Sequence, residues 1–346
     1  MTTPRTITLA VALGDPGGIG PEIALKAVHG KEWPPWARFV FIGSRTVLSA
    51  QAARLRLPTP PAWAPGTPLP GRTALWEPGA GCDGCDGRPF RRAALEWAPG
   101  RTGKAHGRAA ADWIRAGTTG CLAGWFDGLV TGPICKKSLG LAGIPHPGHT
   151  EYLAALTHAR RFAMLLMGGP LRVALVTRHV PLAGVPTALT PAAIVETACL
   201  AAEALPWLGV RSRMLGICAL NPHAGERGAL GDEEARIIAP ALRALRRRGI
   251  EFEGPVPADV IFHNARRGRY GIVVAMYHDQ GLGPLKTIAF ESGVNLTLGL
   301  PILRVSPDHG TAFDLAGTGR AHPGSMIQAI RWALRLARRP NPWARA

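Results

Sequence analysis

Three histidines of the 346-residue sequence each stand a few residues beyond a short apolar run: they are His179, His223 and His278. Apolar runs of this length that alternate with helical patterns predict buried parallel strands, whose carboxyl ends share one edge of a sheet. Three imidazoles with an open fourth position form a catalytic divalent-metal centre, and such a metal polarises a hydroxyl or carbonyl oxygen as a Lewis acid. For any one of them alone, a hydrogen-bonded structural histidine is the simpler interpretation.

Other polar residues have the chemistry to hold a phosphate or a carboxylate. His149 and Thr150 stand at the predicted start of a helix, and a helix N-terminus attracts anions. Lys286, Asn295 and Arg304 follow on segments rich in proline and glycine. Each cation alone fits an exposed surface charge, but the set together predicts an anion site.

A glycine-rich loop follows the first predicted strand. The apolar run over residues 6–13 ends at Gly14, and a helical pattern begins at Pro21, since proline is favoured in the first helical turn. The loop differs from the G-x-G-x-x-G fingerprint, and no acidic residue follows it at the expected distance. A classical Rossmann dinucleotide site is therefore weakly supported.

Strand and helix patterns alternate along the chain, which predicts the α/β class, with helices covering parallel sheets. The predicted strands are residues 6–13, 38–43, 128–131, 162–167, 172–177, 213–219 and 272–276. Two predicted helices begin at residues 21 and 44. Further helices are predicted over residues 107–117, 190–205, 232–248 and 325–337. The stretch 58–103 is rich in Pro, Gly and Trp and predicts irregular structure.

Length and composition limit the class of protein. A chain with 47% hydrophobic and 18% charged residues is globular rather than disordered, and its length predicts two domains. The net charge of +17 raises nucleic acid as a partner. The sequence lacks aromatic RNA-binding motifs and zinc-finger spacing, and its arginine runs 246–248 and 338–339 fall at predicted helix ends. No specific nucleic-acid partner is therefore expected.

Cysteines and apolar segments bear on cellular location. Six cysteines are too few for a disulfide scaffold, and no apolar run approaches the length of a membrane span or a signal peptide. We therefore expect a cytoplasmic protein without a membrane partner. Cys82 and Cys85 have the C-x-x-C spacing of a zinc or redox site, although a glycine-rich loop explains them more simply.

A series of motifs along nearly the whole chain resembles the 4-hydroxythreonine-4-phosphate dehydrogenase family, the NAD-dependent enzymes of pyridoxal phosphate synthesis. The matching segments are GDPGGIGPEIALKA (14–27), TGPICK (131–136), GHTEYLA (148–154), TRHVPL (177–182), NPHAGERGALGDEE (221–234), GPVPAD (254–259), AMYHDQGLGPLK (275–286) and GVNLTLGLPILRVSPDHGTAFDLAG (293–317). The resemblance implies the isocitrate/isopropylmalate dehydrogenase-like fold, which has two α/β/α domains with a cleft between them. We expect a discontinuous domain of residues 1–127 and 275–346 with the NAD-type loop. A central domain of residues 128–274 is expected to carry the metal and phosphate residues and the dimer contacts.

The resemblance also implies roles for individual residues. The implied ligands of one divalent ion, which is Zn, Mg or Co, are His179, His223 and His278. The implied contacts to the substrate are His149, Thr150, Lys286, Asn295 and Arg304. NAD or NADP is expected at Gly14, Asp15, Asp308, His309, Gly310, Thr311 and Asp314, because DHGTAFDLA (308–316) is similar to the adenine loop of the isocitrate dehydrogenase-like enzymes. The site of the family is shared between two subunits, which implies a homodimer.

The implied reaction is the oxidation of 4-phosphohydroxy-L-threonine to 2-amino-3-oxo-4-phosphooxybutanoate, which decarboxylates to 3-amino-2-oxopropyl phosphate. A metal binds the hydroxyl, a general base takes its proton, and hydride passes to NAD. The candidates for the base are Asp279, Asp259 and Lys286. The alternatives are a paralogue that oxidises 4-phospho-D-erythronate or 4-phospho-D-threonate and, more distantly, a basic nucleic-acid-binding protein. Three residues depart from the usual family pattern: Cys135, Arg178 and Pro307.

Overall fold

The structure is a computed structural model that describes residues 5–79, 83–84, 86–90, 97–146 and 148–344. The cysteine pair Cys82 and Cys85 lies outside these residues. The chain divides into two compact units. The first unit comprises Met1–Arg160 with Leu300–Ala346, and the second comprises Arg161–Gly299.

The elements alternate along the chain between strands and helices. The strands are β1 (Ile7–Ala12), β2 (Ala37–Ile42), β3 (Thr73–Trp76), β4 (Gly128–Thr131), β5 (Ala163–Gly168), β6 (Leu171–Leu175), β7 (Leu215–Cys218), β8 (Phe252–Val256), β9 (Ile272–Ala275), β10 (Val294–Leu298) and β11 (Arg304–Pro307). The α-helices are α1 (Gly20–His29), α2 (Arg45–Leu55), α3 (Lys104–Leu122), α4 (Lys136–Leu141), α5 (His149–Thr157), α6 (Val185–Ala188), α7 (Pro191–Leu208), α8 (Ala239–Arg247), α9 (Ala258–Arg266), α10 (His278–Ala289) and α11 (Gly324–Leu336).

The sheet of the first unit is parallel throughout, with the strand order β3-β2-β1-β4-β11. β1 and β2 are buried at nearly every position, as expected for strands that are covered on both faces. Helices α3 and α11 pack against the sheet, and α1 packs against α11. The α/β class predicted from the sequence is confirmed.

The sheet of the second unit has the order β10-β5-β6-β9-β7-β8. β6, β9, β7 and β8 run parallel, whereas β5 runs antiparallel to both β10 and β6. The prediction of parallel strands is wrong at β5, because a tight turn at Gly169 joins β5 to β6, and parallel neighbours need a long crossover connection. The carboxyl ends of β6, β9 and β7 share one edge of this sheet, and each leads to one of the three histidines.

Among the helices that the sequence did not predict are α9 and α10. α10 starts at His278, and α9 starts at Ala258. Glycines and Pro284 within α10 lower its helix propensity, but α10 packs against β5 and β6, so tertiary packing outweighs local preference. The predicted helix over residues 232–248 begins instead with a π-helical turn, Glu234–Ile238, before α8.

Helix α7 is long and apolar enough to cross a membrane by length and composition, with a mean hydropathy of 1.2. Half of the helix is buried, and it packs against β5, β6, β9 and β10. Thr190 caps it by accepting the backbone N–H of Ala193 at 3.2 Å. The apolar character of α7 is therefore explained by its place in the core of the second unit.

The compact units differ from the predicted domain ranges at both junctions. Residues 128–160 belong to the first unit, because β4 pairs with β1 and β11. Residues 275–299 belong to the second unit, because β10 pairs with β5 and β9 with β6. Sheet pairing, which the alternation of apolar runs does not specify, determines these junctions.

Candidate active site

Arg304 carries a charge into the interior of the first unit. The residue begins β11, and it is only 1% exposed. Its Nε and Nη2 atoms donate hydrogen bonds of 3.1 and 2.8 Å to Oγ1 of Thr131, at the end of the neighbouring strand β4. Burial lowers the pKa of the Arg304 guanidinium to about 9, and the nearby carboxylate of Glu151 acts in the opposite direction. A buried cation of this kind favours a bound anion, which supplies the stabilisation that water no longer provides.

His149 lies close enough to Arg304 to interact with its charge. It is the first residue of α5, and among the described residues its buried Nε2 atom has no hydrogen-bond partner. Burial lowers the pKa of His149 well below its usual range, and the positive charge of Arg304 lowers it further. The ring is therefore neutral at pH 7. The next residue, Thr150, is 2% exposed. We call Arg304, Thr131, His149 and Thr150 the Arg304 cluster.

Gly14 and Asp15, which the sequence predicts to contact NAD, are buried within the first unit. Gly14 has a φ of +78°, and an added Cβ would lie 2.3 Å from the carbonyl oxygen of Pro133. Asp15 is 0% exposed, and its Oδ1 accepts the backbone N–H of Gly17 at 2.9 Å. Burial raises the pKa of the Asp15 carboxyl group. The two residues shape the glycine-rich loop, and their direct contact with NAD stays a prediction.

The segment with the other predicted NAD residues lies against this loop. The backbone N–H of Ile19 donates to the carbonyl oxygen of Thr311 at 2.9 Å, and a Cβ on Gly18 would lie 2.9 Å from Thr311. Nδ1 of His309 lies 3.0 Å from the carbonyl oxygen of Gly310. All five predicted NAD residues on this segment are half-buried or exposed: Asp308, His309, Gly310, Thr311 and Asp314.

A buried ion pair holds the chain that follows this segment. Glu22 is 0% exposed and accepts a hydrogen bond of 2.8 Å from Nζ of Lys26. Its carboxylate also accepts the backbone N–H groups of Gly319 and Ala321 at 3.2 and 2.8 Å. Nζ of Lys26 donates to the carbonyl oxygens of the same two residues at 2.6 and 2.8 Å. Helix α1 thereby fixes the chain directly after the predicted cofactor segment.

Two of the three histidines lie side by side in the second unit. The ring centroids of His179 and His278 are 5.7 Å apart, with the planes inclined at 40°. Imidazoles that bind one ion through nitrogen at about 2.1 Å place their centroids about 5 Å apart, so this pair fits two positions of a metal site. Nδ1 of His278 lies 2.7 Å from Oδ1 of Asp279. With the proton on Nδ1, this carboxylate fixes the tautomer that leaves Nε2 as a ligand.

His223 lies on a loop that does not complete this pair. Among the residues that the structure describes, no group of three His, Cys, Asp or Glu side chains is arranged to hold a metal. The five residues from His223 to Arg227 have φ values between 42° and 75°, a left-handed backbone that is costly for residues other than glycine. The structure therefore brings together two of the predicted ligands, and the role of His223 as the third stays a prediction.

The remaining predicted residues are spread over the second unit. Asp279 is highly exposed, at 88%, and contacts His278. Lys286 lies two turns further along α10, with Nζ 5.6 Å from the ring centroid of Phe290. Asp259 stands in the first turn of α9 and is exposed. Asn295 lies on β10, and its buried Oδ1 has no hydrogen-bond partner in the described part of the chain.

The residues that depart from the family pattern have defined surroundings. The guanidinium of Arg178, next to His179, lies 5.1 Å from the ring centroid of Phe162. Cys135 is partly buried and precedes α4, whereas Pro307 ends β11. Of the three, Arg178 is thus the one directly beside a predicted metal ligand.

A basic pocket of about 600 Å³ lies elsewhere in the first unit. Its lining includes Lys31, Trp33, Trp36 and four arginines in or just beyond the last two turns of α11, among them Arg335 and Arg338. Cations are favoured at a helix C-terminus because they interact with its negative dipole end. None of the predicted substrate, metal or cofactor residues is among its described lining residues, so this basic pocket and the candidate site are separate features.

Three buried polar residues of these sites were not predicted from the sequence: Thr131, Glu22 and Gln280. Thr131 is the last residue of a correctly predicted strand, and Gln280 stands two residues after His278. Strand-end position and adjacency to a motif were the available signals, but neither shows which partner a side chain will meet.

Comparison with known proteins gives matches over nearly the whole chain. The family described as "Pyridoxal phosphate biosynthetic protein PdxA" matches residues 36–333. A 4-hydroxythreonine-4-phosphate dehydrogenase of Caulobacter vibrioides is 43% identical over 343 residues, which cover 96% of this chain and 98% of the relative. The crystal structure of 4-hydroxythreonine-4-phosphate dehydrogenase from Klebsiella pneumoniae has a TM-score of 0.81 at 36% identity, covering 96% of this chain and 100% of that one. A terephthalate 1,2-cis-dihydrodiol dehydrogenase from Burkholderia xenovorans LB400 has a TM-score of 0.64 at 29% identity, covering 96% and 98%.

Proposed function

The chain belongs to the PdxA family of pyridoxal phosphate biosynthetic proteins and is an oxidoreductase, and on this premise we propose that it oxidises 4-phosphohydroxy-L-threonine with NAD or NADP and a divalent metal. The product, 2-amino-3-oxo-4-phosphooxybutanoate, is a β-keto acid that loses carbon dioxide to give 3-amino-2-oxopropyl phosphate. The similarity to 4-hydroxythreonine-4-phosphate dehydrogenases over 96% of the chain supports this substrate. We further propose a cytoplasmic homodimer whose subunits share the site.

The observation that carries the proposal is the buried charge of Arg304 beside the neutral ring of His149. A phosphate group accepts hydrogen bonds from a guanidinium, a hydroxyl and the backbone N–H groups of a first helical turn. Arg304, Thr150 and the start of α5 supply these donors, and His149 supplies a ring nitrogen. Thr131 holds the guanidinium in place from β4. The Arg304 cluster is therefore our candidate for binding the substrate phosphate.

The candidate metal ligands are His179 and His278, with His223 as the third. Asp279 orients the ring of His278, and the imidazole of His223 has to move from its present position to join the pair. When bound, a divalent ion supplies Lewis-acid polarisation, which lowers the pKa of the substrate hydroxyl. Since Asp279 is engaged with His278, we favour Lys286 or Asp259 as the group that accepts the hydroxyl proton.

The substrate is tested by the rate of NADH or NADPH formation in metal-replete samples. The compounds to compare are 4-phosphohydroxy-L-threonine, 4-phospho-D-erythronate and 4-phospho-D-threonate. We expect the first to give the highest kcat/KM. A clear preference for one of the others contradicts the proposed substrate but leaves the dehydrogenase class intact. Arg178, beside His179, is the observation that favours this second candidate, because it departs from the family pattern next to a proposed ligand.

The metal requirement has its own test. Chelation should abolish turnover, and restoring Zn²⁺, Mg²⁺ or Co²⁺ should recover it. Full activity in protein that is demonstrably free of metal would contradict the requirement. The His223→Ala variant should also be inactive, and near-normal turnover in that variant would remove His223 from the ligand set.

A further inference from the structure

We propose that Gln280 is a positioning residue whose buried amide joins the strand ends that lead to the three histidines. The inference rests on the proposed metal-dependent function, because it concerns how the candidate ligands are held. Gln280 is 7% exposed and lies on α10, two residues after His278.

The two ends of the Gln280 amide contact two different strands. Its Oε1 accepts the backbone N–H of Met276, directly after β9, at 2.7 Å. Its Nε2 donates to the carbonyl oxygen of Ala219, directly after β7, at 2.6 Å. Because the oxygen only accepts and the nitrogen only donates, the two backbone partners define the orientation of the amide. One side chain thus connects the segment before His278 with the segment before His223.

The third strand joins through the same residue, Met276. The backbone N–H and Oγ1 of Thr177, just beyond β6, both donate to the carbonyl oxygen of Met276, at 3.1 and 2.8 Å. Thr177 is 7% exposed and stands two residues before His179. Met276 is therefore held through its N–H by Gln280 and through its carbonyl by Thr177. The network fixes all three strand ends relative to one another.

Glu234 extends the network along the chain towards His223. Its Oε1 accepts the backbone N–H groups of Leu220 and Asn221, each at 2.8 Å. Its Oε2 accepts Nδ2 of Asn221 at 2.9 Å, and Glu234 is 8% exposed. The contacts of Glu234 with this segment reach Asn221, and the left-handed backbone begins two residues later, at His223. The network therefore sets the point from which the His223 loop departs.

Removal of the Gln280 amide leaves a buried N–H and a buried carbonyl without their partner, so the strand ends are expected to shift apart. Mutation of a group that orients a metal ligand from outside the coordination sphere typically lowers metal affinity about 10- to 100-fold. We therefore expect Gln280→Leu, which keeps the size and burial of the side chain, to bind Co²⁺ about 10-fold more weakly or worse.

A matched control is available at the opposite end of β9. Tyr270 is 4% exposed, and its hydroxyl donates to Oε2 of Glu253 at 2.8 Å. Tyr270→Phe removes the side-chain hydrogen bonds of this hydroxyl from the same unit without touching the strand ends that precede the histidines. Its Co²⁺ affinity should stay within about twofold of the unsubstituted chain, because distant sites act independently.

The experiment combines Co²⁺ titration, followed by the visible absorption of the bound ion, with amide hydrogen exchange of the metal-free full chain. Gln280→Leu should weaken Co²⁺ binding, and exchange in residues 219–221 and 276–278 should become about 10-fold faster. Tyr270→Phe should change neither measurement. Unchanged Co²⁺ affinity and unchanged exchange in Gln280→Leu overturn the proposal, even if the melting temperature falls.

Two outcomes need a second measurement. If Gln280→Leu does not fold, Thr177→Val removes a donor to the Met276 carbonyl while it keeps the side-chain shape, and unchanged Co²⁺ affinity in that variant overturns the proposal. If the unsubstituted chain binds no Co²⁺, the proposed metal-dependent function is wrong. Hydrogen exchange alone then tests the hydrogen-bond network. Unchanged protection at residues 219–221 in Gln280→Leu contradicts the network.

Discussion

Replacement of Arg304 by methionine should weaken substrate binding strongly and leave the ligand-free protein at least nearly as stable. The guanidinium is fully buried, and burial lowers its pKa from the usual value of an arginine to about 9. Since one pKa unit corresponds to about 1.4 kcal/mol, holding this charge costs the ligand-free protein roughly 5 kcal/mol. The cost is present at every pH below about 9, where the group is protonated in both the folded and the unfolded state, and it disappears as the pH rises from there towards the usual pKa of an arginine.

Arg304→Met removes this cost but also removes the hydrogen bonds to Thr131. The hydroxyl of Thr131 loses both donors, and an unsatisfied buried group costs about 1–3 kcal/mol. The pKa of about 9 already includes the favourable interaction of Arg304 with Glu151, so this interaction adds no further loss. The free energy of unfolding of the ligand-free variant should therefore fall by less than about 1 kcal/mol, or rise.

Substrate binding should respond in the opposite direction. Loss of one partner of a buried, charged hydrogen-bonded pair costs about 2–5 kcal/mol, which corresponds to an increase of KM by about 30-fold or more. The assay is the KM for 4-phosphohydroxy-L-threonine at saturating NAD and metal, combined with chemical denaturation of the ligand-free protein. Arg338→Met, at an exposed arginine of the basic pocket, is the matched control and should leave KM unchanged.

Two results would refute this reasoning. A KM within about threefold of the unsubstituted chain shows that Arg304 does not bind the phosphate, since even the low end of the expected loss exceeds that change. A fall of more than about 3 kcal/mol in ligand-free stability shows that the structure already compensates the buried charge without a ligand.

Other predictions concern single residues around the candidate sites. Because the pKa of His149 is lowered on folding, the unfolded state takes up the proton first, so the protein should lose stability as the pH falls below 6.5. His149→Gln should lose less between pH 7.5 and 5.5 in chemical denaturation, and equal losses would contradict the lowered pKa. Glu22→Gln leaves Lys26 without its buried counter-charge, which should cost about 3 kcal/mol of stability and raise the KM for NAD; an unchanged KM would separate this ion pair from the cofactor site. Asp279→Asn should weaken metal binding about 10-fold with little loss of stability, because Asp279 is exposed, and unaltered metal affinity would exclude its orienting role. Retention on DNA should disappear steeply with added salt, and sequence-selective binding at physiological salt would instead support the nucleic-acid alternative.

The strands were predictable where burial alone determines the pattern. β4 covers the predicted residues Gly128–Thr131, and β1 differs from the predicted run by one residue at each end. Both strands are covered on both faces, so their residues are continuously apolar. The direction of β5 was not predictable from its composition, because direction depends on whether a turn or a crossover joins it to β6.

The candidate site was predictable as a set of residues but not as an arrangement. The types and motifs of His149 and Arg304 indicate anion binding, yet nothing in their spacing shows that Arg304 is 1% exposed. The same holds for the histidines, since the structure pairs His179 with His278 and leaves His223 on a separate loop. Loop backbone conformation decides this difference, and the local sequence specifies it only weakly.

The sequence by itself determined the α/β class, the family resemblance and the identities of the candidate residues, because these depend on local patterns and on the order of motifs along the chain. Only the tertiary structure decided which of those residues are buried and what they contact. Arg304 meets Thr131 across 173 residues of sequence, and Gln280 meets Ala219 across 61. A pKa or a hydrogen bond depends on the surroundings of a group in space, so partners this distant in the chain become evident only after the strands have paired.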